Sequence, residues 1–154
     1  MAFQFIYLTQ DFYNDHASCS EIEKKSARPH VRMLVRVEGL DFAIPMRSHI
    51  SHPHSFLTDK ANGCGLDFSK AVLLTDPARY IDSQRAPHIR QNEFDALRGK
   101  EYVVEQGMKK YINTYRKALL KPEIPRNKQL LSCSTHQYYH AQILKKSPAD
   151  SEKV

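Results

Sequence analysis

The chain has 154 residues, 41% hydrophobic and 26% charged, with 23 Lys+Arg against 17 Asp+Glu and a formal net charge of +6 at pH 7. That length fits one domain with a real core, and those fractions exclude a disordered or fibrous chain. No apolar run approaches the roughly 20 residues of a membrane span, and the first 13 residues lack the basic and apolar regions of a secretory signal.

Residues 3–9 (FQFIYLT) are apolar and aromatic and read as a first strand. Asp11 is placed to cap a short helix, after which residues 19–27 turn polar, as a loop or a second short helix. Residues 31–37 alternate, with Val31, Met33, Val35 and Val37 on one face and Arg32 and Arg36 on the other. Glu38-Gly39 supplies a tight turn and residues 40–46 return, so a β-hairpin is expected. Residues 47–65 are rich in Ser, His, Pro, Asn and Gly and read as a loop. Residues 71–75 (AVLLT) suit a short buried strand.

From Asn92 the period changes. Phe94, Leu97, Val104, Met108, Ile112, Tyr115 and Leu119 recur at the steps one helix face requires. Gly99 and Gly107 weaken the pattern, with a break near Gly99. Pro122 and Pro125 stop the helix, and Asn127 is placed to cap another that runs to about Leu144. Strands first and helices later make the fold class α+β, with a mostly antiparallel sheet. One domain over 1–145 and a polar tail over 146–154 are expected. Cys19, Cys64 and Cys133 are odd in number and widely spaced, which fits free thiols and a cytoplasmic protein.

The charge is concentrated. Between Arg98 and Lys128 nine basic residues face Glu101, Glu105 and Glu123 alone, so this segment carries the whole net charge. A local surplus of this kind is the footprint of a polyanion partner, or else a solvated helix face. Lys109, Lys110, Arg116, Lys117 and Lys121 fall away from the apolar stripe and are the candidate contacts.

Candidate chemistry lies at 46–54, MRSHISHPH, where three of the eight histidines follow a strand. A strand end can present reactive groups rigidly. Four readings compete: a metal site built on His-x-x-His-x-His, a serine hydrolase without the usual elbow motif, a polar surface loop, and metal-independent RNA cleavage. The last needs a base, an acid and a clamp for phosphoryl charge but no covalent nucleophile, because the ribose 2′-OH attacks its own phosphate.

Residues 28–39 (RPHVRMLVRVEG), followed by 42–48 (FAIPMRS) and 65–74 (GLDFSKAVLL), resemble the ToxN/AbiQ-type toxins of bacterial type III toxin–antitoxin systems, in their CptN-like branch. The resemblance covers about the first half of the chain well and the helical remainder loosely. It implies a twisted antiparallel sheet flanked by helices, similar to the MazF and Kid toxins. It also implies an endoribonuclease that cuts single-stranded RNA to 2′,3′-cyclic phosphate ends without a metal or other cofactor. Its partners would be cellular or phage RNA and a repeated pseudoknot RNA antitoxin, which it processes and with which it forms closed assemblies; some members of the family abort phage infection.

By position, Ser48 falls on the family's active-site serine and Arg47 on the residue before it. Arg28 falls on a basic position near the RNA. Tyr13 lies near an N-terminal tyrosine, with Phe12 the match on a one-residue slip. The family often has Lys two residues after the serine, where this chain has Ile50; His49 and His52 are the replacements, His52 favoured, with Lys60 a further candidate. The expected roles are charge stabilisation by Arg47 and Ser48 and proton transfer by His52, His49 or Tyr13. Arg28, His30, Arg32 and Lys60 are candidate RNA contacts beside the helical lysines, while His54 reads as surface. A non-catalytic RNA-binding protein using the 98–128 segment is the alternative.

Overall fold

In a computed structural model that describes residues 4–22 and 30–144, the hairpin expected from the alternating segment is the frame of the fold. β1 (Phe5–Ile6) pairs with β2 (Arg32–Val37), which pairs with β3 (Leu40–Arg47) in unbroken antiparallel register from Val37↔Leu40 to Arg32↔Pro45. Glu38 and Gly39 both take positive φ, 54° and 76°, the two-residue turn whose twist matches paired strands. Arg28 and the tail from 145 lie outside the described residues.

The other edge of β3 is shared. β6 (Val72–Leu73) pairs with its first half through Phe42↔Leu73 and Ala43↔Val72. β5 (Cys64–Asp67) takes its end through Met46↔Leu66 and Arg47↔Gly65, and β4 (Ser55–Asp59) lies outside β5. A 3-10 turn, Phe68–Lys70, bridges β5 and β6 at this fork. The neighbouring Met46 N–H bonds Val31 O on the β2 side, so the nitrogen of Pro45 faces the fork, where a missing donor breaks no ladder bond. The result is α+β, a six-stranded antiparallel sheet with helices.

The β4–β5 hairpin corrects the loop expected over 47–65. Gly65 obscures it in the sequence, yet a Cβ there would lie 2.1 Å from Phe56 O and 2.7 Å from Leu57 Cα. Only glycine lets β4 approach. Gly65→Ala is therefore expected to cost about 3 kcal/mol, because backbone atoms cannot move aside as a side chain can. Urea unfolding, read as a lower midpoint at unchanged slope, checks this.

α1 (Gln10–Asp15) is capped by Thr9, whose hydroxyl accepts from Phe12 N–H, rather than by Asp11. α2 (Pro77–Tyr80) packs beside it. α3 (Gln91–Leu97) and α4 (Glu101–Leu120) are separated at Gly99, as the sequence predicts. α4 buries Val104, Met108, Ile112 and Tyr115, and its Tyr111 and Ala118 as well, against β2, β4 and the 68–70 turn. Gly107 belongs to that packing, because a Cβ there would sit 2.8 Å from the Phe68 ring.

The helix expected from 127 to 144 is three pieces: α5 (Pro125–Cys133), a 3-10 turn Thr135–Tyr138, and α6 (His140–Ile143). Ser134 interrupts it by accepting from His136 N–H and from Tyr111 O–H, which offers the backbone an alternative to helix. Asn127 does not cap α5; its amide donates to Lys121 O and closes the end of α4.

Candidate active site

The fork at the end of β3 brings together residues that are far apart in sequence. Arg47 pairs with Gly65, so Asp67, two residues on, is its diagonal neighbour on the same face. Arg47 Nη1 donates to Asp67 Oδ2 at 3.0 Å. Asp67 Oδ1 accepts from Ser69 Oγ at 2.6 Å and Ser69 N–H at 3.0 Å, and lies 3.2 Å from His52 Nε2. This carboxylate is 1% exposed, so four donors gather on a charge almost withdrawn from water. Burial pushes the Asp67 carboxyl upward, but the hydrogen bonds from His52 and Ser69 and the charges of His52 and Arg47 outweigh it. They hold the group below the ordinary carboxylate range.

His52 is held at both ends. Its Nδ1 accepts the backbone N–H of His54 at 3.1 Å, and its Nε2 lies 3.2 Å from Asp67 Oδ1. Both nitrogens are thus engaged in positioning the loop. His54, two residues on, has its carbonyl bound by Phe68 N–H and its ring edge-on to Tyr111, centroids 5.3 Å apart. Burial lowers its basicity, the His52 and Lys110 charges add to this, and Asp67 opposes it.

Arg47 also lines a cleft of about 310 Å³ with Ser20, Glu21, His30, Arg32 and Lys70. Arg32, expected on a polar strand face, is instead 3% exposed, with Nη1 3.4 Å from Ala43 O. His30 Nδ1 faces Met46 O at 3.1 Å. Lys70 Nζ donates to Glu21 Oε2 at 2.8 Å and to Cys133 O at 2.6 Å, which ties the segment before β2 to the end of α5. Of the cleft's charged side chains among the described residues, three are Lys or Arg and one is Glu, a lining suited to a phosphate-bearing ligand.

Ser48 and His49 are exposed just beyond β3, with His49 at φ 57°. The His49 and Ile50 N–H groups bond Asn62 O and Gly63 O, so Lys60, exposed in the 60–62 turn, belongs to the same rim. Tyr13 is not brought to this rim or cleft: it is 7% exposed in the core, edge-on to Phe12. Lys109, Lys110 and Lys117 are exposed on α4, and Lys121 is exposed just past its end. Arg116 is occupied elsewhere, its Nη2 2.7 Å from Glu38 Oε2 and its Nε donating to Ile143 O, and so pins the β2–β3 turn to α4.

Asp67, Ser69 and Lys70 escaped the sequence reading as site residues. The Asp-x-Ser spacing, which lets a carboxylate bind the N–H two residues on, was the available signal. Among the described residues no group of three or more His, Cys, Asp or Glu has the geometry to hold a metal ion. No helix is long and apolar enough to cross a membrane. No family model, curated protein or solved structure matches this chain.

Proposed function

We propose that the chain is an endoribonuclease toxin of the ToxN/AbiQ type, on a sheet like that of MazF and Kid, restrained by a repeated pseudoknot RNA antitoxin. The observation that carries the reading is the Arg47–Asp67–His52 array at the mouth of a basic cleft, beside exposed Ser48. In this mechanism an RNA phosphate enters the cleft, and Arg47, aimed by the buried Asp67, holds its oxygens with the Ser48 hydroxyl. The 2′-OH attacks the phosphorus, the bond to the 5′-oxygen breaks, and a cyclic phosphate and a 5′-hydroxyl result. His52 and His49 move the protons, and His52 also helps to hold Asp67 in place. The helical lysines supply charge for the RNA partner in the cytoplasm.

Expression of the wild type in bacteria is expected to arrest growth, and Arg47→Ala or Ser48→Ala to be tolerated at equal protein level. The purified protein is expected to leave cyclic-phosphate ends on single-stranded RNA in the presence of EDTA. Intact RNA under every condition, with salt-sensitive binding, would favour the non-catalytic RNA-binding protein instead.

A further inference from the structure

A second groove, of about 610 Å³, runs between the end of α4 and α5, and His54 stands in its wall with Lys117, Lys121 and Arg126. Among the described residues no Asp or Glu lines it. Leu120 and Ile124 add apolar surface, and Leu120 is 81% exposed, an unusual place for a large aliphatic side chain beside three cations. A purely solvated basic helix has no need of such an apolar rim. A duplex, which presents phosphates and keeps its bases stacked, would leave it uncovered. Single-stranded nucleic acid has both complements: phosphates for the cations and open base faces for the apolar surface.

We propose that the α4–α5 groove binds a run of single-stranded RNA at a site separate from the Arg47 cleft, with bases against Leu120 and Ile124 and phosphates at Lys117, Lys121 and Arg126. His54 is the contact at its inner end. It deepens the ribonuclease reading by giving the RNA a second foothold, and it shares with that reading only its ligand class. His54 is faced by His52 from its own loop, Asp67 from β5, and Lys110 and Tyr111 from α4. Burial lowers its basicity, and a phosphate arriving in the groove favours proton uptake, so binding tightens as the pH falls.

The test uses the full chain and a fluorescent 2′-O-methyl oligouridine, which has no 2′-OH to attack, so binding is measured without cleavage. The double variant Lys117→Ala/Lys121→Ala is expected to weaken binding at least ~10-fold and to flatten the salt slope by about 1.4, at roughly 0.7 per single-strand phosphate contact. Leu120→Ser, at an exposed position, is expected to weaken it several-fold, and His54→Gln to abolish the tightening between pH 7.5 and 5.5. Equal losses from Lys100→Ala/Lys109→Ala, or competition by duplex RNA as strong as by single strand, would overturn the groove in favour of diffuse charge. Unmodified RNA distinguishes the two readings. Groove binding with no cleavage by the wild type would refute the enzyme and leave the groove standing, while cleavage with unchanged affinity in the groove variants would refute the groove alone.

Discussion

Asp67→Asn is expected to reduce RNA cleavage about 100-fold and to lower stability by about 2–4 kcal/mol, the larger effect falling on a site that water barely reaches. The amide keeps the volume of the side chain but has one acceptor where the carboxylate offers two. Its NH2 must face either Arg47 Nη1 or the Ser69–His52 side, and all of those groups donate. The guanidinium then loses its anchor, and His52 loses the partner that orients its loop. Ser69→Ala removes one 2.6 Å hydrogen bond and leaves the ion pair, so about 1 kcal/mol and little loss of cleavage are expected. Cleavage rates at saturating RNA, compared with thermal unfolding of the three proteins, separate positioning from folding. Equal cleavage by the wild type and Asp67→Asn would remove Asp67 from the site. The carboxyl is held below its ordinary 3.8, so its contribution is present above that pH and is lost only as the pH falls further.

The second large effect comes from His136. Its side chain is fully buried, stacked on Phe42 at 5.7 Å and edge-on to Tyr111, and neither ring nitrogen has a hydrogen-bond partner among the described residues. Burial first, then the charges of Arg116 and His140, push its pKa down to about 3 from 6.5. The folded protein keeps the ring neutral while the unfolded chain takes up a proton below 6.5. Stability is therefore full above that value and is lost as the pH falls toward 3, at about 1.4 kcal/mol per unit. Between pH 7.5 and 4.5 the loss is about 3 kcal/mol. His136→Leu is expected to remove most of this dependence, checked by urea unfolding across that range. The window differs from that of Asp67, which begins below 3.8, so the two variants report on different groups. A wild type with flat stability down to pH 4.5 would show that His136 protonates without unfolding.

These two residues illustrate what the chain hides. Asp67 is one carboxylate in a stretch that reads as strand and turn, and it becomes a site only because β5 pairs with β3 in the register that sets it diagonal to Arg47. His136 and His140 share helical spacing and look alike in sequence. In the structure a 3-10 turn sends the first into the core, while the second meets the Tyr115 hydroxyl at 2.6 Å. His54 reads as surface next to a proline, and it is the loop's path over Tyr111 that sets it in the groove wall. Arg116 looks like one more cation of the basic helix, and its pairing with Glu38 depends on a turn 78 residues away.

Local periodicity alone determined the β2–β3 hairpin, the α3–α4 helices with their break at Gly99, and the concentration of charge between Arg98 and Lys128. Each follows from interactions between near neighbours in the chain: alternation on a strand, the 3.6-residue stripe of a helix, a turn that needs positive φ. The β4–β5 hairpin, the burial of Arg32 and the Arg47–Asp67–His52–Ser69 array were decided by the tertiary structure. They depend on which strand edges meet and in what register, and on a backbone approach that only Gly65 permits. The charge of 98–128 was legible residue by residue; that Lys117, Lys121 and Arg126 gather along one groove while Arg32, Arg47 and Lys70 line a separate cleft required the fold.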